Sequence, residues 1–438
     1  MTELTQYARW FRDSTPYIIA HRKKTFVVLL PGDAIVHEHV TSIAHDLALL
    51  SVLGVRTVLV HGARPQIDAA IAAAGLTPRY HHHRRITDQA TIDQVEAAVA
   101  RVRAQIEGLF CLGLPNTPLH NTRINVLSGN LVTARPIGIV DGVDHLFTGR
   151  VRTIHHELID TLLDVGAIVL ISPLGYSPSG EAFNLSSEEL AAEVAIALGA
   201  DKFIAFDALA HLSDDDGRPR SEISPAALEQ WLPSADITEW SRRTLSELAR
   251  ACRAGVPRCH LVGFREDGAL LRELFTAGGC GTQVTEDDTQ HIRRAGIDDV
   301  AGIVELIRPL EATGALVKRS RARLETEIER FFVAELDGIV VGCCALYPFE
   351  GSGAGELACL AMHPGYRDNP VANGAALVRR IESEARRLGL RQLFLLTTQA
   401  RDWFKEQGFV DATVDDLPAP KKALYNYQRN SIVMSKKI

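Results

Sequence analysis

Short apolar runs alternate with helical patterns over roughly the first 285 residues, and this alternation limits the fold more than any other feature. The buried-strand run Thr25–Leu30 is followed by a helix that reaches Gly54 and by a second run at 56–60. Further strands are predicted at 124–127, 167–171 and 202–206. Strands that alternate with helices usually form parallel sheets covered by helices on both faces. The first part of the chain therefore predicts an α/β/α sandwich.

The order of elements changes after a predicted boundary within 283–291, where Glu286, Asp287 and Asp288 interrupt the apolar pattern. We therefore predict domains at 1–285 and 286–438. The second domain is expected to be α+β, with a helix, a hairpin, three further strands and two helices. These elements are predicted at 332–335 with 338–347, 356–362, 374–388, 392–398, around Trp403, and at 431–434.

Three local patterns give more specific predictions. Ser186 and Glu189 fit a capping box at the start of a helix that runs to about Leu198. In the helix at 374–388, apolar residues recur at core-facing spacing, with charged residues between them. The core-facing residues are Val378, Ile381, Ala385 and Leu388, and the outward ones are Arg379, Glu382 and Arg386. The polar segment 213–220, with Asp214, Asp215 and Asp216, predicts a solvated loop.

Composition narrows the function classes. The 54 acidic residues outnumber the 47 basic ones and give a net charge of −7, which argues against nucleic acid as the main partner. Seven scattered cysteines without a C-x-x-C pair fit a reducing compartment, and no stretch has the length of a membrane span. A soluble cytoplasmic protein is expected. His81-His82-His83 lacks spaced partners and is interpreted as a solvated loop, so no metal site is predicted.

The second domain resembles the GCN5-related acetyltransferase (GNAT) family. Segments 356–364, 396–398, 402–404 and 408–409 follow one another as in that family, in which a loop and helix start hold the pyrophosphate of acetyl-coenzyme A. The candidate loop, 366–374, departs from the family pattern because Pro370 stands where a glycine is usual and supplies no N–H. The cofactor-binding residues expected there are Arg367, Asn369, Asn373 and Gly374.

Longer segments, at 307–311, 316–321, 345–349 and 425–431, resemble the acetyltransferase half of the N-acetylglutamate synthase family. The resemblance implies transfer of an acetyl group from acetyl-coenzyme A to the α-amino group of L-glutamate, the first step of arginine biosynthesis. It implies acetyl-coenzyme A as co-substrate and no permanently bound cofactor. The amine must lose a proton before it attacks a thioester, and Glu356 resembles the family's general base. Without that context, Glu356 would be interpreted as a solvated carboxylate at a strand end.

The same resemblance assigns the remaining site residues. Thr397 matches the position of a hydroxyl that assists the leaving thiolate, although an ordinary strand threonine is the alternative. The guanidinium group of arginine and the ammonium group of lysine are suited to bind the two carboxylates of glutamate. The residues matched to substrate binding are Lys318, Arg319, Arg429 and Ser431, and those whose backbone would pair with the pantetheine arm are Cys359, Leu360 and Met362. Cys359 as a nucleophile is the less favoured alternative. Arg321, Lys421 and Lys422 are interpreted as solvated charges.

The first domain resembles the amino acid kinase family, in segments 16–18, 60–63, 124–126, 128–130 and 273–276. Kinases of that family carry a lysine where Leu29 stands, and glycines where Ala63-Arg64-Pro65-Gln66 follows Gly62. Because phosphoryl transfer depends on charge stabilisation, the domain is expected to be catalytically silent. Resemblance to the synthases extends through it, at 25–27, 62–68 and 181–185.

The synthase resemblance implies that the first domain binds L-arginine and inhibits the acetyltransferase. Segments 258–261 and 278–281 match the family's arginine site, with Glu273 accepting the guanidinium and His260 and Tyr17 framing it. It also implies a homo-oligomer, a hexamer assembled through the first domains.

Three rival readings stay open at this point. The alternatives are an amino acid kinase that lost a local motif, a non-catalytic arginine sensor with a decayed acetyltransferase domain, and an acetyltransferase for another amine such as a protein lysine. Leu29 and Pro65 oppose the first, Glu356 and Arg429 oppose the second, and the basic substrate cluster fits the third poorly.

Overall fold

The computed structural model describes residues 3–111, 124–213, 217, 219–276, 279–286, 292–336, 339–349, 351–366, 373–423, 425 and 431–438. The chain divides into two compact units, Met1–Glu286 and Asp287–Ile438. The division falls one residue from the boundary expected at 285/286. Among the described residues, no helix combines the length and the apolar character that crossing a membrane requires.

The amino-terminal unit alternates strands and helices as predicted. Its elements are α1 (Glu3–His21), β1 (Thr25–Leu30), α2 (Gly32–Ile35), α3 (Val40–Val52), β2 (Arg56–His61), α4 (Arg64–Ala73), β3 (Arg79–His81), β4 (Arg84–Ile86), α5 (Gln89–Cys111), β5 (Val126–Leu127), β6 (Val132–Pro136), β7 (Ile139–Val140), β8 (Val143–Asp144), β9 (Gly149–Ile154), α6 (His156–Asp164), β10 (Ile168–Ile171), β11 (Leu174–Tyr176), β12 (Ala182–Asn184), α7 (Ser187–Ala197), β13 (Lys202–Asp207), β14 (Leu212–Ser213), β15 (Pro219–Arg220), β16 (Glu222–Ile223), α8 (Pro225–Trp231), α9 (Glu239–Arg253), β17 (Arg258–Gly263), α10 (Ala269–Phe275) and β18 (Thr282–Val284).

The main sheet of this unit has the strand order β16-β18-β17-β13-β1-β2-β10-β5. Its neighbouring strands run parallel except β17 and β18, which are antiparallel. Every residue of the central strand β1 is buried, which is why its sequence is a continuous apolar run rather than an alternating one. The prediction of β1 is confirmed, as are those of β2, β10 and β13 with shifts of one residue. The run predicted at 124–127 forms a strand only over Val126–Leu127.

Two local predictions in this unit are only partly correct. Ser186 caps α7 by accepting a hydrogen bond from the Glu189 N–H at 3.4 Å. The Glu189 carboxylate does not complete the box but pairs with Arg84 at 2.9 Å. The segment predicted as a loop at 213–220 begins and ends in the short antiparallel pair β14–β15. Asp214, Asp215 and Asp216 lie outside the described residues.

Two tight hairpins, which the sequence reading did not anticipate, project from this unit. The β3–β4 turn consists of His82 and His83, with φ angles of 47° and 58°, and the β7–β8 turn consists of Asp141 and Gly142, with φ angles of 46° and 81°. Left-handed backbone at both central positions defines the type I′ turn, which favours Asn-Gly or Asp-Gly. Two histidines in these conformations carry a strain of about 1 kcal/mol or more each.

The carboxy-terminal unit is a mixed sheet with helices. Its elements are β19 (Ile292–Arg294), α11 (Val300–Ala312), α12 (Arg321–Glu327), β20 (Phe331–Leu336), β21 (Ile339–Phe349), β22 (Ala354–Met362), α13 (Gly374–Arg387), β23 (Gln392–Thr397), α14 (Arg401–Glu406), β24 (Val410–Ala412), α15 (Ala419–Ala423) and β25 (Ile432–Lys437). The strand order is β19-β20-β21-β22-β23-β25-β24, so the last strand lies between two earlier ones. Among the strands that the structure describes in this unit, β22 and β23 are the one parallel pair, and the other neighbouring strands are antiparallel.

Helix α13 packs against β21 and β22, and two of its predicted side-chain environments are wrong. Val378, Ile381 and Ala385 are buried as predicted, but Leu388 is 45% exposed because it lies past the last helical turn as the C-cap. Glu382, predicted to face solvent, is only 7% exposed. Its carboxylate accepts a hydrogen bond from Lys436 of β25 at 2.5 Å, a partner that the helical pattern cannot reveal.

Substituting Ile381→Ala should lower the free energy of unfolding by about 2–5 kcal/mol, because it removes a fully buried side chain and leaves a cavity. Leu388→Ala, at the C-cap that follows the helix, is the matched control and should change it by about 0.5 kcal/mol or less. Urea denaturation of the three proteins measures both values. Equal losses for the two variants would contradict the burial described here.

Candidate functional site

The strands β22 and β23 separate in the middle of the carboxy-terminal sheet. Their parallel pairing joins Ala354 to Gln392 and ends where Glu356 lies opposite Phe394. Beyond this point β22 continues to Met362 and β23 to Thr397, each still paired on its other side with β21 or β25. Within these two fully described strands, the facing edges therefore present backbone N–H and C=O groups without a ladder partner. Such groups need hydrogen bonds from water or a ligand.

A β-bulge lies on the open edge of β22. Cys343 pairs with Ala361 and Ala345 pairs with Ala358, so Cys359 and Leu360 together stand opposite Cys344. Cys359 has a left-handed backbone with φ of 54°, unusual for a residue other than glycine. A bulge bends its strand and removes groups from the ladder. It therefore re-aims the backbone of the residues assigned to the pantetheine arm, with Met362 ending the strand.

Glu356 lies at the point where the two strands part, and its carboxylate is held by an ion pair. The Lys421 Nζ of α15 donates to its Oε1 at 2.6 Å, and the side chains of Glu356 and Lys421 are 13% and 24% exposed, respectively. The interpretation of Lys421 as a solvated charge is therefore wrong. Arg321 and Lys422 are more exposed, at 75% and 45%, and pair with Glu325 and Asp415.

Arg319 is a described substrate-binding candidate whose charge interacts with that of Glu356. Burial lowers the pKa of its guanidinium, but the neighbouring Cys359, Tyr347 and Glu356 raise it by more, and the net shift is upward. Tyr347 lies opposite Glu356 on β21 and donates a hydrogen bond to Glu327 at 2.6 Å. The Nε of Arg319 is buried and has no hydrogen-bond partner among the described residues. One donor of a permanent cation thus remains available beside Glu356.

Thr397 and Ser431 meet where β23 ends. Both are 8% exposed, and Ile432, next to Ser431, pairs with Thr397. The Thr397 Oγ1 accepts hydrogen bonds from the N–H groups of Gln399 at 3.4 Å and Ala400 at 3.1 Å. Because the oxygen is already an acceptor twice, its own O–H remains available as a donor toward another group.

Of the remaining candidate residues in this unit, some have contacts that the structure describes and others lie outside the described residues. Asn373 caps α13 by accepting from the Ala376 N–H at 2.9 Å. A Cβ on Gly374 would come within 3.1 Å of the Trp403 ring, so a glycine lets the helix start approach Trp403 without displacing the ring. Lys318 is exposed and makes no hydrogen bond or ion pair within the described part of the chain. Arg367, Asn369 and Arg429 lie outside the described residues.

Cys359 is a poor nucleophile in this setting. Burial, opposed only in part by the nearby Arg319, raises the pKa of its thiol to about 11. At pH 7 the thiolate, which is the reactive form, is then about one molecule in 10⁴. The residue contributes backbone conformation rather than a reactive sulfur.

In the amino-terminal unit, His260 and Glu273 form a buried pair. His260 Nδ1 lies 2.7 Å from Glu273 Oε1, and Glu273 Oε2 accepts from the N–H groups of Cys280 and Gly281 at 2.8 Å each. Burial opposes ionisation, but these hydrogen bonds outweigh it and lower the pKa of Glu273 to about 2. Burial and the Lys202 charge lower the pKa of His260. The partners therefore assign a neutral imidazole that donates through Nδ1.

Tyr17 is connected to the His260–Glu273 pair through His21. Tyr17 is 5% exposed, and its ring lies 6.4 Å from that of His21, centroid to centroid. His21 Nε2 lies 2.8 Å from the carbonyl oxygen of Leu274, the residue after Glu273. On the other side, the buried Lys202 Nζ lies 3.5 Å from His260 Nε2. The sequence reading missed His21 and Lys202, which no motif marks and only the packing of α1 and β13 brings here.

The loop after β1 is filled by protein atoms. Leu29 is 1% exposed within the central strand. A Cβ on Gly32 would lie only 2.6 Å from the Pro65 ring, and the Gln66 side-chain amide donates to the Gly32 carbonyl at 2.9 Å. The space beside Gly32 is thus occupied by a proline ring and a glutamine side chain.

Each of the two units contains a segment that matches a known protein family. Residues 24–263 match the amino acid kinase family, and residues 302–409 match the acetyltransferase (GNAT) family. The amino-acid acetyltransferases of Pseudomonas putida and Pseudomonas aeruginosa are 50% and 49% identical to this chain, over 99% of its length and 100% of theirs. These matches confirm the predicted fold class.

Solved structures give the same result. The N-acetylglutamate synthase of Neisseria gonorrhoeae complexed with coenzyme A and L-arginine is 35% identical, covers 99% of both chains and has a TM-score of 0.87. The same enzyme complexed with coenzyme A and N-acetyl-glutamate is also 35% identical, over 98% of this chain and 99% of that one, with a TM-score of 0.64. The chain belongs to the amino-acid acetyltransferase family.

Proposed function

We propose that this chain transfers the acetyl group of acetyl-coenzyme A to the α-amino group of L-glutamate, the first step of arginine biosynthesis, and that L-arginine inhibits the reaction. The observation that carries the proposal is the placement of Glu356 at the last paired position of two separating strands, beside Arg319. The ligands named for the Neisseria gonorrhoeae relative, coenzyme A, N-acetyl-glutamate and L-arginine, support the same chemistry.

Acetyl-coenzyme A is bound as a co-substrate at the open edge of β22, and no cofactor is held permanently. The amides of its pantetheine arm are a peptide-like chain and can pair with the free groups of Cys359, Leu360 and Met362. The start of α13 offers unpaired amides and the positive end of the helix dipole to the pyrophosphate. Gly374 and Asn373 form that start, and Arg367 and Asn369 precede it.

Glu356 takes the proton from the substrate ammonium, directly or through one water. The free amine then attacks the thioester carbonyl, and the C–S bond of the tetrahedral intermediate breaks. The nitrogen gives its second proton to the departing sulfur, so that coenzyme A leaves as the thiol and the product is a neutral amide. In the structure, the Lys421 ammonium forms an ion pair with the Glu356 carboxylate. The substrate adds two carboxylates that compete for the Lys421 ammonium, so substrate binding would free the base at the moment it is needed.

The departing sulfur also needs a hydrogen bond while it carries negative charge. Thr397 Oγ1 accepts from two backbone N–H groups, which directs its own hydrogen elsewhere. We assign it as the donor to the departing sulfur.

Arg319 binds a substrate carboxylate through the unpartnered Nε and the guanidinium edge, since carboxylates match that geometry. The exposed Lys318 and the hydroxyl of Ser431 act with it, as does Arg429.

L-Arginine binds at the cluster of Tyr17, His260 and Glu273. The Glu273 oxygens offer about four acceptor sites and three are used, so one acceptor site remains for a guanidinium. Inhibition requires that arginine bind two global states of the protein unequally.

The amino-terminal unit performs no phosphoryl transfer in this proposal. Leu29 provides no charge for a phosphate, and Pro65 fills the space beside Gly32. We further propose a homo-hexamer assembled through this unit, and a cytoplasmic location that suits seven free thiols.

The direct experiment follows thiol release from acetyl-coenzyme A by the purified chain, with and without L-glutamate. We expect release that depends on glutamate and falls when L-arginine is added. Glutamate-dependent release that L-arginine does not lower would support the transferase activity and refute the proposed arginine site. Absence of glutamate-dependent release would favour an arginine sensor whose acetyltransferase unit is inactive.

In the same assay, Glu273→Gln should remove the inhibition by L-arginine, whereas the exposed control Glu266→Gln should keep it.

Glu356→Gln should lower kcat by about 10²–10⁴-fold, because the amide cannot accept the ammonium proton. The matched control is Glu325→Gln, which removes a surface carboxylate that pairs with Arg321. Steady-state kinetics with both substrates, with circular dichroism to verify folding, gives the comparison. A folded Glu356→Gln variant with nearly full kcat would exclude Glu356 as the base.

Cys359→Ser should retain kcat within a few-fold, because the buried thiol is protonated at pH 7 and transfer is direct. Serine keeps the size and the polar character of the side chain at the bulge. Mass spectrometry of the wild-type chain mixed with acetyl-coenzyme A alone should show no acetyl group on Cys359. A labelled Cys359, together with loss of activity in the serine variant, would instead establish an acetyl-enzyme.

A further inference from the structure

Three metal-ligating side chains meet on the surface of the amino-terminal unit, at the tips of the two hairpins. His81 and His82 come from β3 and its turn, and Asp141 comes from the turn between β7 and β8. One ligand atom from each residue lies within 4.8 Å of the other two. His82 Nε2 and Asp141 Oδ2 are 2.8 Å apart. We propose that this His81–His82–Asp141 cluster binds one divalent transition-metal ion of the Zn²⁺ class and joins the two hairpins.

The donor set defines the class of metal. Two imidazole nitrogens and one carboxylate oxygen are borderline ligands that suit Zn²⁺, Ni²⁺ or Cu²⁺, whereas Mg²⁺ and Ca²⁺ require oxygen ligands. Ligand distances of about 2.0–2.2 Å place the donor atoms of a tetrahedral ion about 3.4 Å apart. The His82 and Asp141 donors must therefore separate slightly from their 2.8 Å hydrogen bond, and the His81 nitrogen must come within this distance of both. The side chains of His82 and Asp141 are 66% and 71% exposed, so they can rotate freely to do so. Water completes the coordination.

One donor of the cluster lacks a partner. The Nδ1 atom of His81 is buried and has no hydrogen-bond partner in the described part of the chain. The ring itself is held between neighbours, with its centroid 4.1 Å from that of His82 and 5.6 Å from that of the buried His145. A ring fixed in this way has one nitrogen that hydrogen bonding does not use, and metal ligation from either nitrogen would set its tautomer.

The two arginines of β4 do not oppose the ion, whereas a third, Arg243, lies close enough to donate to the His83 carbonyl oxygen at 3.2 Å. Arg84 and Arg85 follow the turn, but Glu189 pairs with Arg84 at 2.9 Å and Asp68 with Arg85 at 2.5 Å. Each guanidinium is thereby neutralised by its own carboxylate. These two arginines and His83 line a cavity on the same hairpin. An ion at the tip would therefore also fix one wall of that cavity.

The residues at the two turns are unusual for their backbone conformation or for their distance in sequence. Histidine occupies both left-handed positions of the β3–β4 turn, where asparagine and glycine are favoured. The partner Asp141 lies 59 residues away from His82 in the sequence. The interpretation of the histidine tract as an unpartnered solvated loop missed this partner, because only the fold brings the second hairpin to it.

The test titrates ZnCl₂ and NiCl₂ into the untagged, EDTA-treated full chain by isothermal calorimetry, with MgCl₂ as the negative control. We expect about one Zn²⁺ or Ni²⁺ per chain from this site and a rise in Tm on binding. His82→Gly and Asp141→Asn should weaken binding by about tenfold or more, as is typical for loss of a ligand or its support. His156→Ala, which removes an exposed histidine elsewhere in the unit, should bind as the wild type does.

Both test variants place a favoured residue in a left-handed turn position, so they should fold at least as well as the wild type. His82→Gly should raise Tm in EDTA while losing the metal-induced rise, a combination that mere unfolding cannot produce. Equal Zn²⁺ and Ni²⁺ affinity and stoichiometry in the wild type and in both variants would overturn the proposal. Absence of wild-type binding at 0.1 mM metal would also overturn it.

Discussion

The end of pairing between β22 and β23 determines how the carboxy-terminal unit is used. Both strands continue past Glu356 and Phe394 but no longer bond to each other, although each remains bonded on its outer side. A sheet interior that leaves backbone groups open must satisfy them with a ligand or water. The bulge at Cys359 bends β22 within this stretch. In the proposed mechanism, Glu356, Arg319 and Thr397 act at this unpaired stretch of sheet.

Several carboxylates with low solvent exposure are paired with side chains of other elements. Glu382 of α13 bonds to Lys436 of β25, and Glu356 of β22 bonds to Lys421 of α15. Glu273 in the amino-terminal unit binds His260 and the loop at Cys280 in the same manner. Removing one partner of such a pair leaves an uncompensated charge and costs more than the pair contributes. These pairs fix the positions of loops and helix ends around both proposed sites.

Much of the architecture could be predicted from the sequence, since buried strands such as Thr25–Leu30 are apolar runs and helix α13 has a regular period. The long motifs around Glu356 and Arg319 identified the family. Prediction failed for Glu382, Leu388 and Lys421, whose environments depend on partners or ends that no local pattern encodes. The bulge at Cys359 and the meeting of the His82 and Asp141 turns depend on strand register and hairpin packing. Sequence separation conceals both.

The placement of β25 has a consequence for how the protein is made on the ribosome. Strand β24 bonds in the sheet only to β25, and β25 separates it from β23. Until Ile432–Lys437 has left the exit tunnel, β23 has an exposed edge and Thr397 lacks the neighbour that Ser431 provides. Exposed strand edges promote association between chains. Nascent chains paused before this strand would therefore depend on chaperones, while the amino-terminal unit already has all its strands.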